Sequence, residues 1–161
     1  MNVEKSLNDL EILRMAISME EQGMKFYTQG VKHTQGKLRD FLLNTAGQEM
    51  LHRDKFQKIY DDLVSRSGSD DDYLFDQDVA AYLASLAKEK VFVKNQESEN
   101  AFKDLHLAAN LALKNETATV ELYTKMQQGA KYDEVKEILG VLIEEEKDHV
   151  QYFKELLEEL K

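Results

Sequence analysis

Two short motifs, Glu49-x-x-His52 and Glu146-x-x-His149, each put a carboxylate and an imidazole three residues apart. On a helix that spacing brings both groups to one face. Two further carboxylates stand alone in apolar company. Leu13 and Tyr27 lie seven residues to either side of Glu20, about 20° off its direction on a helix. Glu116 sits in the same way among Ala109, Ala112 and Tyr123. The face of Glu49 and His52 also carries Leu42, Ala46 and Phe56, and that of Glu146 and His149 carries Leu139, Ile143, Val150 and Phe153. Four carboxylates and two imidazoles therefore point where packed helices are normally apolar. A buried carboxylate without a partner is costly, and it either takes up a proton or finds a counter-charge. No Lys or Arg stands at the centre of these stripes. Two divalent cations would balance the four carboxylates, and mixed carboxylate and imidazole donors suit iron or manganese better than a thiol-preferring metal.

A lone Glu-x-x-His carries little weight in a chain this rich in Glu. The repetition carries more. Residues 12–27 (ILRMAISMEEQGMKFY) align with residues 108–123 (AANLALKNETATVELY), matching Ala16, Glu20 and Tyr27 to Ala112, Glu116 and Tyr123. Residues 42–58 align with residues 139–155, matching Leu42, Glu49, His52 and Phe56 to Leu139, Glu146, His149 and Phe153. Each half thus supplies one isolated Glu and one Glu-x-x-His.

These groups need elements to position them. The chain of 161 residues has no Pro and 7 Gly, and those two residues are the strongest helix breakers. Apolar residues recur at steps of three, four and seven, which predicts four long helices over residues 6–34, 37–66, 99–129 and 133–160. Ser6 with Asp9 is a start signal, Gly36 separates the first two helices, Gly129 closes the third, and Asp133 is a candidate cap for the fourth. The short gaps predict two antiparallel hairpins, 6–66 and 99–160. The intervening 67–98 is too long for a turn. It contains the polar run SGSDDD and a candidate short helix from Val79 to Lys90. A helix of about 28 residues is about 42 Å long, and a segment of this size can run that distance. The expected architecture is a single all-α domain over 1–161: a four-helix bundle whose hairpins are joined by a long crossover, as in ferritin-like bundles.

Composition narrows the function. With no Cys there is no disulfide framework, thiolate metal site or Cys nucleophile. The 21 basic and 31 acidic residues give a net charge of −10, which speaks against nucleic acid as a partner and for cations. No apolar run is long enough for a membrane span, and MNVEKSLNDLE lacks a signal-peptide core. The expected location is cytoplasmic, away from the membrane.

On AISMEEQGMKFY, QEMLH, ALKNETATVELY and EEEKDH, the sequence resembles the ferritin-like superfamily, and its rubrerythrin branch most closely. The resemblance spans all four helices. It implies two iron ions per chain, with manganese as the substitute. It further implies that Glu49 and Glu146 bridge the metals, His52 and His149 bind one each, and Glu20 and Glu116 are terminal ligands. It implies Fe(II) oxidation by hydrogen peroxide or dioxygen, and a homodimer. Two departures stand out. Full-length rubrerythrins carry a Cys-rich electron-feeding module, so this chain needs a separate electron-donor protein. They also tend to carry an extra Glu three residues after the third-helix ligand, where this chain has Thr119. The remaining set resembles the symmetric six-ligand type of bacterioferritin.

Tyr27 and Tyr123, two turns beyond Glu20 and Glu116, are placed to orient ligand carboxylates through hydrogen bonds. Glu21 falls on the helix flank and is expected to be solvated; Glu144 and Glu145 also fall off the stripe centre and are expected only to add negative potential. His33 and His106 are expected at the surface. Two other roles share the same residues: iron storage within a large shell, and a bundle whose metal site is vestigial.

Overall fold

The computed structural model describes residues 8–67 and 101–161. They form four helices: α1 (Asp9–Lys32), α2 (Gly36–Ser67), α3 (Leu105–Gly129) and α4 (Asp133–Glu159). No strand occurs among the described residues. Residues 33–35 join α1 to α2 and residues 130–132 join α3 to α4. Connections this short force antiparallel neighbours, so the described residues form two hairpins, as the periodicity predicts. The 68–98 stretch of the expected crossover, its short helix over 79–90, and Ser6 lie outside the described residues.

Helix ends differ from the sequence reading where a local side chain captures the first free N–H groups. α1 starts at Asp9, because Asn8 is the cap: its Oδ1 accepts from the Glu11 N–H at 2.9 Å and its Nδ2 donates to Glu11 Oε1 at 2.7 Å. α3 starts at Leu105 rather than near 99, because Asp104 accepts from the N–H groups of His106 and Leu107 at 3.0 and 3.3 Å. Asp133 is the first residue of α4 rather than its cap; Tyr132 holds the cap position without a side-chain bond. Gly36 has φ +67° at the first position of α2, a conformation that Gly adopts without strain.

The two hairpins bury matching residues. In α3 the buried side is Ala108, Ala109, Ala112, Asn115, Glu116, Thr119, Leu122, Tyr123 and Met126. Their counterparts in α1, from Ile12, Leu13 and Ala16 through Glu20 and Gly23 to Tyr27 and Gly30, are buried as well. In the same way Leu42, Ala46, Glu49, His52 and Phe56 of α2 are buried opposite Leu139, Ile143, Glu146, His149 and Phe153 of α4. Backbones lie closer within each hairpin than between hairpins, which meet where α1 faces α3 and α2 faces α4. The wider seam leaves room for long polar side chains.

Three contacts lock the hairpins together at the ends. Asp9 is buried and accepts from the N–H groups of Lys131 and Tyr132 at 3.0 and 2.9 Å, tying the start of α1 to the α3–α4 turn. Phe102, just before α3, packs on Phe26 of α1 with ring centroids 5.0 Å apart. It also lies over Gly30, where an added Cβ would come within 2.7 Å of the ring and 2.9 Å of Leu42.

Candidate metal centre

The seam between the hairpins holds all six polar residues singled out by the repeat. Glu20 comes from α1, Glu49 and His52 from α2, Glu116 from α3, and Glu146 and His149 from α4. All six are buried. They form two quartets, Glu20–Glu49–His52–Glu146 and Glu49–Glu116–Glu146–His149, in each of which one donor atom per residue lies within 4.8 Å of the others. Glu49 and Glu146 belong to both quartets. One quartet is completed by Glu20 and His52 and the other by Glu116 and His149.

Each imidazole turns the same atom inward. His52 Nδ1 lies 3.6 Å from Glu20 Oε2. His149 Nδ1 lies 3.2 Å from Glu146 Oε2 and 3.7 Å from Glu116 Oε2. The Nε2 atoms point the other way. His52 Nε2 is 2.5 Å from Glu145 Oε2, and His149 Nε2 is 3.1 Å from Gln48 Oε1. Glu145 is therefore not merely a source of potential beside the site, as its off-centre position suggests. It touches a histidine of the cluster, and so does Gln48, which the sequence reading passed over. The available signal is the repeat itself: each residue directly precedes the Glu shared by both quartets, at matching positions of α2 and α4.

The tyrosines cross between the halves. Tyr123 donates to Glu20 Oε1 at 2.7 Å, and Tyr27 donates to Glu116 Oε1. Each ring rests on a phenylalanine of the opposite hairpin. Tyr27 stacks on Phe153 with centroids 6.1 Å apart, and Tyr123 meets Phe56 edge-on at 6.0 Å. Burial, followed by the nearby carboxylates, raises both phenols well above their ordinary value, so both stay protonated donors.

Crowding acts on the carboxylates too. Burial, then the charges of Glu146 and Glu20, raises Glu49 well above the ordinary carboxylate value. Burial, then the charge of Glu116, does the same to Glu146. Glu116 goes the other way: burial opposes its ionisation, but the neighbouring polar groups of Glu146, His149 and Tyr27 outweigh it and lower its value. For His149, burial disfavours the charged form, but Glu116 and Glu146 prevail and raise it to about 10. Glu49, Glu146 and His149 thus hold protons more tightly than the isolated groups would.

Those protons leave the site polar and incompletely bonded. Glu20 Oε2, Glu49 Oε1, His52 Nδ1, Glu116 Oε2 and Glu146 Oε1 are buried and have no hydrogen-bond partner. A buried polar atom left unpaired costs about 1–3 kcal/mol, and here five of them converge. Oxygen and imidazole-nitrogen donors that are buried, converging and unsatisfied fit a pair of divalent cations. Thr119 takes no part in this shortage: it is buried, and its hydroxyl donates to the Asn115 carbonyl at 2.9 Å. His33 and His106 are exposed, as expected, with His106 Nδ1 3.1 Å from Asn110.

A bundle with one isolated Glu and one Glu-x-x-His from each hairpin, all turned inward, belongs to the ferritin-like carboxylate class. A crystal structure of a ferritin-like diiron-carboxylate protein from Thermotoga maritima superposes with a TM-score of 0.72 at 25% identity, covering 96% of this chain and 97% of that one. The sequence profile of the rubrerythrin family matches residues 11–157. The chain belongs to the rubrerythrin family. No curated protein matches it.

Proposed function

We propose that this chain is a di-iron carboxylate redox protein that oxidises Fe(II) with hydrogen peroxide or dioxygen. The observation that carries this reading is the pair of buried quartets sharing Glu49 and Glu146. Glu20 and His52 would hold one ion, Glu116 and His149 the other, and Glu49 and Glu146 both; manganese suits the same donors. When bound, the iron pair supplies the two electrons that reduce peroxide to two waters, with two protons from solvent.

The chain's own residues do the rest. Tyr27 and Tyr123 hold Glu116 and Glu20 in one orientation each, so the terminal donors stay aimed at the seam. Phe56 and Phe153 pack behind those tyrosines and exclude water from their hydroxyls. Glu49 and Glu146 keep protons until a cation displaces them, so loading releases protons and tightens as pH rises. Thr119 offers no carboxylate at the position where many rubrerythrins have one, which favours a fixed ligand set. With no Cys in the chain, electrons for repeated turnover come from a separate donor protein. A homodimer accords with Leu43, Met50 and Leu51 standing exposed along α2, a stripe that a second copy would cover.

The test is an anaerobic Fe(II) titration of metal-free protein, followed by one equivalent of peroxide, read by near-ultraviolet absorbance. A break at about two irons per chain and a rapidly formed ferric band are the expected result. Uptake of many irons per chain, with a very large assembly on size exclusion, would replace this reading with iron storage. No uptake, and a melting temperature indifferent to metal, would mean a vestigial site.

A further inference from the structure

We propose that the two metal positions of this chain are unequal by construction, because the carboxylate of Glu145 stands against His52 whereas the neutral amide of Gln48 holds His149 beside a cavity. The inference rests on the di-metal reading above.

Gln48 and Glu145 occupy matching positions of the repeat, each directly before a shared Glu. Each reaches across the seam to the histidine of the opposite hairpin, at 3.1 Å for Gln48 to His149 Nε2 and 2.5 Å for Glu145 to His52 Nε2. A histidine that gives Nδ1 to a cation carries its proton on Nε2, and that N–H needs an acceptor. His149 has one in Gln48 Oε1; for His52 the candidate is Glu145 Oε2, in contact at 2.5 Å without hydrogen-bond alignment. The acceptors differ in charge. A carboxylate draws the Nε2 proton more strongly than an amide oxygen does, and so makes the ring a stronger donor to the metal. It also adds a negative charge next to the position at His52.

The surroundings differ in the same sense. Phe41 stands edge-on to His149 with centroids 6.1 Å apart, and stacks on Tyr152 at 3.5 Å. The matching positions on the His52 side are Ile138 and Lys55. A cavity of about 420 Å³ opens against Phe41, Asn44, Gln48, His149 and Tyr152, with Glu145 also at its wall. His149 lines it and His52 does not. The first divalent ion therefore takes the position at His52. The second takes the position at His149 and exchanges through the cavity. Glu145 and Gln48 are positioning residues in this scheme, since each acts through a histidine.

The experiment is an anaerobic Co(II) titration of the metal-free full chain, read by visible absorbance and equilibrium dialysis. Two steps are expected, with affinities about tenfold or more apart. His52→Ala removes the tighter step and His149→Ala the weaker. Glu145→Gln weakens the first step by roughly 10- to 100-fold and brings the two together, and Gln48→Glu tightens the second. In the exchanged variant Gln48→Glu/Glu145→Gln the steps separate again in reverse order, so that adding His149→Ala removes the tight one. A residue that only packs would not reverse an order. If Glu145→Gln loses its helical circular dichroism, Gln48→Glu carries the test alone. Two ions of equal affinity in the unaltered protein, or steps unmoved by either folded variant, overturn the inference and leave the di-metal reading standing. No bound Co(II) at all overturns both.

Discussion

The two hairpins are built on one pattern and differ in what that pattern leaves free. Their buried faces correspond position by position, including each isolated Glu, each Glu-x-x-His and each tyrosine. The crossing contacts correspond as well, with Tyr27 bonded to Glu116 and Tyr123 to Glu20. Differences enter next to the shared scheme: Gln48 against Glu145, Gly30 against Met126, Met19 against Asn115, Gly23 against Thr119. A duplicated scaffold therefore fixes where donors stand, and neighbouring residues are free to make the halves unequal.

The strongest way to break the correspondence is at the two residues that belong to both quartets. Glu49→Ala or Glu146→Ala should abolish binding of the pair, whereas Glu20→Ala or Glu116→Ala should cost one ion each. Glu21→Ala, off the stripe, should leave two. Metal analysis after desalting decides, and equal loss in all five variants would sink the assignment of donors to helix faces.

Next comes the response of the metal-free protein to pH. Glu49 and Glu146 are raised from an ordinary value of 4.5, and His149 from 6.5 to about 10. In each case the folded state binds the proton more tightly than the unfolded chain does. The stability each contributes is full below its unfolded value and is lost as pH rises through the folded one. Glu116 is lowered; its contribution is already complete above its ordinary value and does not offset the loss. Thermal unfolding of metal-free protein should therefore shift down by several degrees between about pH 5 and pH 8. Metal-loaded protein should not follow, because cations replace those protons. A metal-free midpoint that climbed over this range would contradict the raised values.

At the packed end, Gly30→Ala should destabilise by about 1–3 kcal/mol, since its Cβ would fall 2.7 Å from Phe102 and 2.9 Å from Leu42. Met126, its counterpart, is a full-sized buried side chain, so Met126→Ala tests the opposite fault, a void. Denaturant melts of the two variants compare them directly. Tyr27→Phe and Tyr123→Phe should each weaken metal binding about tenfold while leaving the helices intact, and by similar factors if the halves are equivalent at this level.

The smallest effect is expected at Asn115. It is fully buried, and neither its Oδ1 nor its Nδ2 has a hydrogen-bond partner. Its counterpart in the first hairpin is the buried Met19. Asn115→Met should raise stability by about 1 kcal/mol, as an unpaired amide is replaced by apolar volume. A lower melting temperature would show that the amide is needed.

Much of this was legible in the residues alone. Helical periodicity and the absence of Pro are local properties, so four helices and their pairing follow from spacing and short gaps. The six polar residues of the seam could be picked out because a carboxylate at the centre of an apolar stripe is a local contradiction, and the contradiction occurs twice. Helix starts were less legible, since Asn8 and Asp104 act through single side-chain bonds that compete with other polar residues nearby.

What the chain could not determine by local pattern is who meets whom across the seam. Helical spacing says that Tyr27 shares a face with Glu20; only the packing of α1 against α3 makes it serve Glu116 instead. Periodicity puts Glu145 off the stripe centre, where it reads only as a source of negative potential. In the folded protein the flank of α4 faces α2, and Glu145 lies against His52 while Gln48 lies against His149. The reason is geometric. A face of one helix is fixed by 100° steps along its own sequence, but a side chain at the edge of that face finds its partner on another helix. That partner depends on the distance and tilt between the two axes, which are set by the cores of both hairpins together.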